Sequence, residues 1–536
     1  MYLQLPKPLN AVSAVAAAMK LSVVVWVLLA VAAVFVMTLG TDEAWVLNGL
    51  RSSLRPQVDH LTTELIVTSG GPFALANLAI EWAAGSRVWV HRLVSLCCLG
   101  LSFALILRRG GREVAPGWVA WLMLAPLMAV PGAAEVGTAA LGTSMGLVLM
   151  LAAMVVWASP GVPMARRVIG CGLLYGLAAA SRFDLILFGP AVLLVSCMRL
   201  EGSRRLELRL NLPAWFFVGI GVAVFLLNQW AMSLPANAMP AADVSASAGL
   251  DPWSLNYPKL LNQWFTLTTF ASLSLLAAMA AAAFWWPQPM VSADPAGPPR
   301  LESLLLAAAV MLLASWWVRA PIPHLRYAFP ALFCFAAVAA LGLQQVVIRA
   351  AASGSTRQLL LCLCLGLACL LGSIGTSTRS LVMSDSDYAS WEWTHEMAYD
   401  YFRRFEAREH QHQAATYLRD GLPAEARLYS YVPYALRYLT ERPIVAVDKA
   451  AASDSTVFHP ERYLVLTPAI GTYFYVKPES ATWVHDKTQL VKQIGRYSVY
   501  KLPAGNDSDL SNLKVSRSNY DGHPDSAAWF GRRPAQ

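Results

Sequence analysis

A carboxylate at the edge of a membrane can take the proton of a hydroxyl nucleophile, and a second can orient that nucleophile or hold a divalent cation. Asp42 and Glu43 stand side by side where the first long apolar run, Leu21 to Leu39, gives way to polar sequence. A guanidinium flanked by imidazole and phenol is the complement, because it holds phosphate bidentately and its neighbours add donors. His324, Arg326 and Tyr327 supply that set in Pro323-His324-Leu325-Arg326-Tyr327, with Arg319 just ahead. Arg182 and Asp184 lie in Ser181-Arg182-Phe183-Asp184 between two apolar runs. Charges so placed face a bundle interior or a polar cavity. Asp59, His60, Glu64 and Glu135 are further candidates for acceptor or accessory roles. Together these residues suit transfer of a group from a lipid phosphate to a hydroxyl.

Each has a plainer reading. Thr41 is a good N-cap, and the helix dipole favours acids in a first turn in any case. Arg182 and Asp184 can close a tight turn as a mutual ion pair. Arg326 and Tyr327 can anchor a span at the interface, and single acids on an aqueous loop are ordinarily just solvated. What favours chemistry is their sorting: the acids, and every Arg or His that does not set topology, fall on one side of the membrane.

The elements that must position them are membrane spans. Of 536 residues, 56% are hydrophobic and 14% charged, against roughly 25% charged in soluble domains. Apolar runs near 19–39, 88–107, 116–132, 138–158, 168–181, 183–198, 212–234, 264–286, 303–318, 328–348 and 358–376 predict about eleven spans. The fifth and sixth are short enough to tilt or share one tight turn. Basic residues mark alternate loops: Arg108, Arg109 and Arg112; Arg166 and Arg167; Arg199, Arg204, Arg205 and Arg209; Arg300; Arg349 and Arg357. This positive-inside pattern puts the N-terminus in the cytoplasm and the region after residue 377 outside an inner membrane. It also accounts for the net charge of +8 without nucleic acid. The first run exceeds a signal-peptide core and reads as a retained span.

The expected organisation is a helical membrane domain at 1–377, an α/β domain at 378–503 and a disordered tail at 504–536. Short β-rich runs at Arg427–Tyr431, Ile444–Val447, Tyr463–Leu466 and Tyr497–Lys501, mixed with helical stretches near 395–419 and Pro433–Leu439, carry the α/β expectation. The polar, Asp/Ser/Gly-rich composition after Leu502 carries that of the tail. The outer loop at 41–87 holds two helical stretches. In the first, Val46, Leu47, Leu50 and Leu54 line one face while Asn48, Arg51, Ser52 and Arg55 line the other, as in a helix lying in the membrane interface. The second runs from Phe73 to Trp82 after the Ser69-Gly70-Gly71-Pro72 turn. All eight cysteines (Cys97, Cys98, Cys171, Cys197, Cys334, Cys362, Cys364 and Cys369) lie in apolar runs. That excludes a disulfide framework in the polar third.

This ordered set resembles the GT-C superfamily of polyprenyl-phosphate-sugar-dependent glycosyltransferases, which includes protein O-mannosyltransferases, lipid A aminoarabinose transferases and arabinofuranosyltransferases. The resemblance rests on Thr41-Asp42-Glu43, the long loop, Leu177-Ala178-Ala179-Ala180-Ser181-Arg182 and His324-Leu325-Arg326-Tyr327-Ala328-Phe329-Pro330. It extends to Ala414-Ala415-Thr416-Tyr417-Leu418 and Tyr438-Leu439-Thr440-Glu441-Arg442-Pro443. It implies inverting transfer of a monosaccharide from a polyprenyl-phosphate donor to a lipid, glycan or protein hydroxyl on the periplasmic side. Asp42 would be the base and Glu43 would orient the acceptor. Arg182, His324, Arg326 and Tyr327 would hold the donor phosphate. A divalent cation (Mg, Mn or Ca) would rest on Glu43 and Glu135, and Glu135 stands alone where the family carries a second acidic motif. The alternatives are a flippase of lipid-linked saccharides, which midplane charge and duplicated halves would mark, and an O-antigen-ligase-like transferase. The spans show neither mark, and Asp42-Glu43 speaks against the ligase.

Overall fold

The apolar runs become helices because hydrocarbon offers no partner for backbone N–H and C=O groups, so each segment must satisfy its own. A computed structural model describes residues 10–36, 41–54, 71–85, 87–110, 117–130, 133–134, 136–200, 206–208, 210–233, 299–319, 325–382, 405–431, 433–451, 457–467, 474–476, 478–495, 497–513 and 515–517. The chain divides into two compact units: residues 1–35, 64–80 and 88–379, and residues 36–63, 81–87 and 380–536.

Helices are numbered along the chain, and α2 (Thr41–Leu54) belongs to the second unit. The first unit is built from α1 (Asn10–Val36), most of α3 (Gly71–Ala84), α4 (Val88–Gly110), α5 (Gly117–Met128), α6 (Gly142–Trp157) and α7 (Met164–Ser181). It continues with α8 (Phe188–Cys197), α9 (Leu212–Ser233), α10 (Leu301–Arg319), α11 (Leu325–Ala352) and α12 (Thr356–Val382). Val12–Phe35, Val88–Arg108, Leu212–Trp230, Ala328–Ala352 and Thr356–Gly375 are long and apolar enough to cross a membrane. Leu21, Leu28, Phe216 and Leu227 stay exposed on these helices, as lipid-facing positions must. The protein is a multi-pass helical membrane protein. The run expected at 264–286 lies outside the described residues.

Small residues let these helices approach. A Cβ on Gly172 or Gly176 of α7 would lie 2.8 or 2.5 Å from Ile220 or Val224 of α9, and Gly221 sits against the Tyr175 ring. The contacts step together along both helices, so α7 and α9 run parallel over a small-residue seam. Elsewhere Trp26 of α1 donates to Ser373 Oγ of α12 (3.0 Å), which donates to the Met128 carbonyl ending α5 (2.7 Å). These two buried polar groups find their partners across helices, as the solvent favours.

β1 (Arg427–Ser430), β2 (Ile444–Ala446), β3 (Arg462–Leu466), β4 (Gln489–Ile494) and β5 (Tyr497–Leu502) form a five-stranded sheet in the second unit, in the order β2-β1-β3-β5-β4. β1 pairs in parallel with β2 and β3; β5 is antiparallel to β3 and to β4. Alternation sends Leu428, Tyr463, Val465 and Val499 to one face, with Ala414 and Leu418 of α13 (Phe405–Asp420) and Leu436 of α14 (Tyr434–Thr440). Tyr429, Leu464 and Leu466 go to the other. α14 stops because Glu441 takes a left-handed conformation (φ 57°) just before Arg442-Pro443. The Arg442 guanidinium then collects the Leu418 carbonyl from the last turn of α13 and the Pro423 and Ala424 carbonyls from the loop after it.

Two expectations are corrected here. The expected tail does not begin at 504: Gly505–Asn506 pairs with Phe458–His459, and a 3₁₀ turn over Asp507–Asn512 buries Leu510 and Asp507. Polar composition misled because those polar groups are used internally. Arg462, 1% exposed, donates to the Pro503 carbonyl (2.8 Å) and to Asp509 (3.3 Å). Nor is the polar stripe of α2, where its side chains are described, open to water. Asn48 and Arg51 are as buried as Val46, Leu47 and Leu50, because they bond α14.

Candidate functional site

α7 ends at Ser181, the backbone leaves it extended at Arg182, and one 3₁₀ turn, Phe183–Leu187, leads into α8. Arg182 is thereby held at the end of the bundle with its side chain 11% exposed. Its Nε donates to both Asp184 oxygens (2.7 and 2.9 Å) and its Nη1 to Thr143 Oγ1 in the first turn of α6. Gly146, one turn further along α6, makes the room: a Cβ there would fall 3.2 Å from Arg182 Cβ. The result is a desolvated cation fixed in orientation by a carboxylate and a hydroxyl. Such a group can bind phosphate strongly, since little solvent competes.

In the second unit Asp42 and Glu43 occupy the first turn of α2, and Glu43 is fully buried. α2 is fastened to α14 by polar groups. Asn48 Nδ2 donates to the Tyr434 carbonyl (2.8 Å) and Arg51 Nη1 to the Tyr438 carbonyl (3.0 Å). Arg51 Nε pairs with Glu81 (3.2 Å), and its guanidinium lies 4.0 Å over the Tyr438 ring. The Tyr438 hydroxyl closes the cycle by donating to Glu81 Oε2 (3.0 Å). Burial pushes the Tyr438 phenol well up from its ordinary value, and the Glu81 charge adds to it.

Arg326 and Tyr327 fall in the first turn of α11. His324, Asp59, His60, Glu64 and Glu135 lie outside the described residues. Among the described residues no three His, Cys, Asp or Glu side chains converge as metal ligands, and the expected pair of Glu43 and Glu135 has one member outside them.

The structure adds residues that sequence reasoning passed over: Thr143, Glu81, Tyr438, His91 and Arg92. The last two are fully buried at the start of α4. Asn77 Nδ2 donates to the Phe73 carbonyl (2.8 Å), so its Oδ1 must accept from His91 Nδ1 (2.7 Å) and the ring is protonated there. The available signal was polar residues stranded in apolar sequence, such as Asn77 and Glu81 in Phe73–Trp82.

No protein-family model and no curated protein matches the sequence. Solved structures do match in fold. ArnT from Cupriavidus metallidurans bound to undecaprenyl phosphate aligns at TM-score 0.53 and 14% identity, over 90% of this chain and 97% of its own. Its apo structure aligns at 0.54 and 14%, over 92% and 98%. An oligosaccharyltransferase from Archaeoglobus fulgidus gives 0.49 and 12%, over 87% and 70%. This chain is thus a multi-pass helical membrane protein whose fold is similar to that of ArnT from Cupriavidus metallidurans.

Proposed function

We propose that the protein transfers a monosaccharide, with inversion, from a polyprenyl-phosphate donor to a hydroxyl of a lipid, glycan or protein acceptor at the extracytoplasmic face of the inner membrane. The observation that carries this reading is Arg182: a guanidinium buried at the end of α7 and braced by Thr143 and Asp184. The fold around it is that of a protein solved with undecaprenyl phosphate. In this reading Arg182 holds the donor phosphate, with His324, Arg326 and Tyr327. A phosphate oxygen competes with Asp184 for the guanidinium, and the exchange costs little because the cation is already oriented.

Asp42 takes the proton of the acceptor hydroxyl as the oxygen attacks the anomeric carbon. The bond from that carbon to the phosphate oxygen breaks on the opposite face, and the electron pair leaves with polyprenyl phosphate. Glu43 orients the acceptor. A divalent cation, held by Glu43 and Glu135, would neutralise charge at the leaving phosphate.

Mass spectrometry of lipid A, glycans and exported proteins from cells with and without the gene tests the reading. A single-sugar mass that disappears with the gene names sugar and acceptor. Asp42→Asn should abolish that mass while purified protein still binds donor lipid. Near-normal transfer by this variant removes Asp42 as the base.

A further inference from the structure

The end of the first unit that carries Arg182 also gathers polar groups for which the mechanism above has no use. α3 opens at Gly71 in left-handed backbone (φ +57°), with Pro72 next. A helix start presents N–H groups that lack intrahelical acceptors, and its positive end favours anions. Gly71 lies directly against the ends of α7 and α9. A Cβ on it would fall 2.8 Å from Ala180 Cβ, 3.4 Å from the Ala180 carbonyl carbon and 3.6 Å from Asn228 Oδ1. Glycine is required there by space and by φ alike.

That carbonyl carbon is bonded to Ser181, so Ser181 begins at this contact. Ser181 is fully buried, and its Oγ has no hydrogen-bond partner. Helical hydroxyls ordinarily bond back to the carbonyl four residues earlier, as Ser102 does to Cys98. Ser181 does not. Asn228, whose amide faces Gly71, likewise has a buried Nδ2 without a partner. Unmet polar groups are costly in a membrane and persist where a ligand answers them. The unmet groups here can all donate. Phosphate oxygens only accept, whereas a sugar hydroxyl would have to accept throughout and donate nowhere.

We propose that Ser181, Asn228 and the first turn of α3 form the second wall of a phosphate cradle whose first wall is Arg182. The ligand is a tetrahedral phosphate group, and the proposal rests on the reading of Arg182 as a phosphate-binding residue. Neighbouring positions of one helix end, Ser181 and Arg182, would then grip one headgroup from two sides, while the lipid chain follows the apolar surface.

The test uses the purified full-length protein in detergent, with undecaprenyl phosphate, inorganic phosphate and undecaprenol as probes. Ser181→Ala should weaken undecaprenyl phosphate about 5-fold and Asn228→Asp, which keeps the shape and adds a negative charge, about 10-fold or more. Undecaprenol binding should not change in either variant. Ser181→Ala should leave the ligand-free melting temperature undiminished, because the deleted hydroxyl has no partner to lose. Loss of inorganic phosphate binding in parallel assigns the cradle to phosphate as such; loss of the lipid phosphate alone assigns it to the lipid headgroup. Unchanged lipid-phosphate affinity in both variants overturns the proposal, as does an equal loss for undecaprenol or a destabilised ligand-free Ser181→Ala. Weakened binding in a protein that transfers no sugar would keep the cradle and discard glycosyl transfer. Transfer with full donor affinity in both variants would do the reverse.

Discussion

The Arg51–Glu81–Tyr438 cluster lends itself to a quantitative test, because it fastens the helix that carries Asp42 and Glu43. Arg51 and Glu81 are each 6% exposed and 3.2 Å apart, so their attraction is poorly screened. Glu81→Gln leaves the Arg51 charge buried without its carboxylate, and Arg51→Met leaves the Glu81 charge buried beside the Tyr438 hydroxyl. Breaking a buried pair from one side costs about 3–5 kcal/mol. Removing both charges together should cost far less than either single change, since desolvation of both ions is then avoided. The double-mutant cycle should therefore show a coupling of at least about 3 kcal/mol. Hydrogen exchange on peptides covering Thr41–Leu54 and Tyr434–Thr440 reads this locally. A loss of about 3 kcal/mol accelerates opening-limited exchange about 150-fold. If Asp42 is the base and Arg182 the phosphate ligand, as proposed, turnover should fall with it while donor-lipid affinity holds, because the perturbation loosens α2 and leaves Arg182 in place. Exchange within about 3-fold of wild type in both single variants, or a double variant equal to their sum, would refute the account.

Further outcomes follow from other contacts. Arg182→Ala should weaken donor-lipid binding by about 10-fold or more, as loss of a charge-assisted contact predicts, and titration of undecaprenyl phosphate into the purified variant measures it. Gly176→Val should destabilise the membrane unit by more than about 1–3 kcal/mol, because its Cβ would lie 2.5 Å from Val224 and 2.6 Å from the Gly221 carbonyl; thermal melting in detergent checks it. In the second unit, hydrogen bonds from Lys501 and Tyr463 hold the Glu461 carboxyl below its usual range. That stabilisation is present above the ordinary glutamate value of about 4.3 and is lost as pH falls through the depressed one. Glu461→Gln should flatten the acid limb of the stability profile. Burial and the Glu461 hydrogen bond raise the Tyr463 phenol to about 12. Its share therefore persists below about pH 10 and fades as pH rises toward 12, and Tyr463→Phe should remove that alkaline dependence.

The membrane architecture was legible because hydrocarbon imposes one rule on every residue of a span, and a long apolar run records it without reference to distant sequence. The same holds for the parallel strands β1, β2 and β3, whose Val, Ile, Leu and Tyr content marks strands buried on both faces. The tight turn at Arg182 was legible too, since two apolar runs are separated there by Ser181-Arg182 alone. α2 shows the limit of local reading. Its polar stripe is the pattern of an interfacial helix, and nothing near it in sequence reveals that Tyr434 and Tyr438, nearly four hundred positions away, meet Asn48 and Arg51.

What residue types and their order settle is therefore the solvent: which segments must live in lipid, which ends carry charge, and which side chains are capable of acid–base or phosphate chemistry. Which of those side chains act together is a matter of long-range packing. Thr143 reaches Arg182 because Gly146 lets α6 approach, and Ala180 and Asn228 meet Gly71 because α7 and α9 share a small-residue seam. A hydrogen bond depends on tenths of an ångström between helices, and that separation is set by the volumes of side chains from both partners at once. No single stretch of chain contains that information.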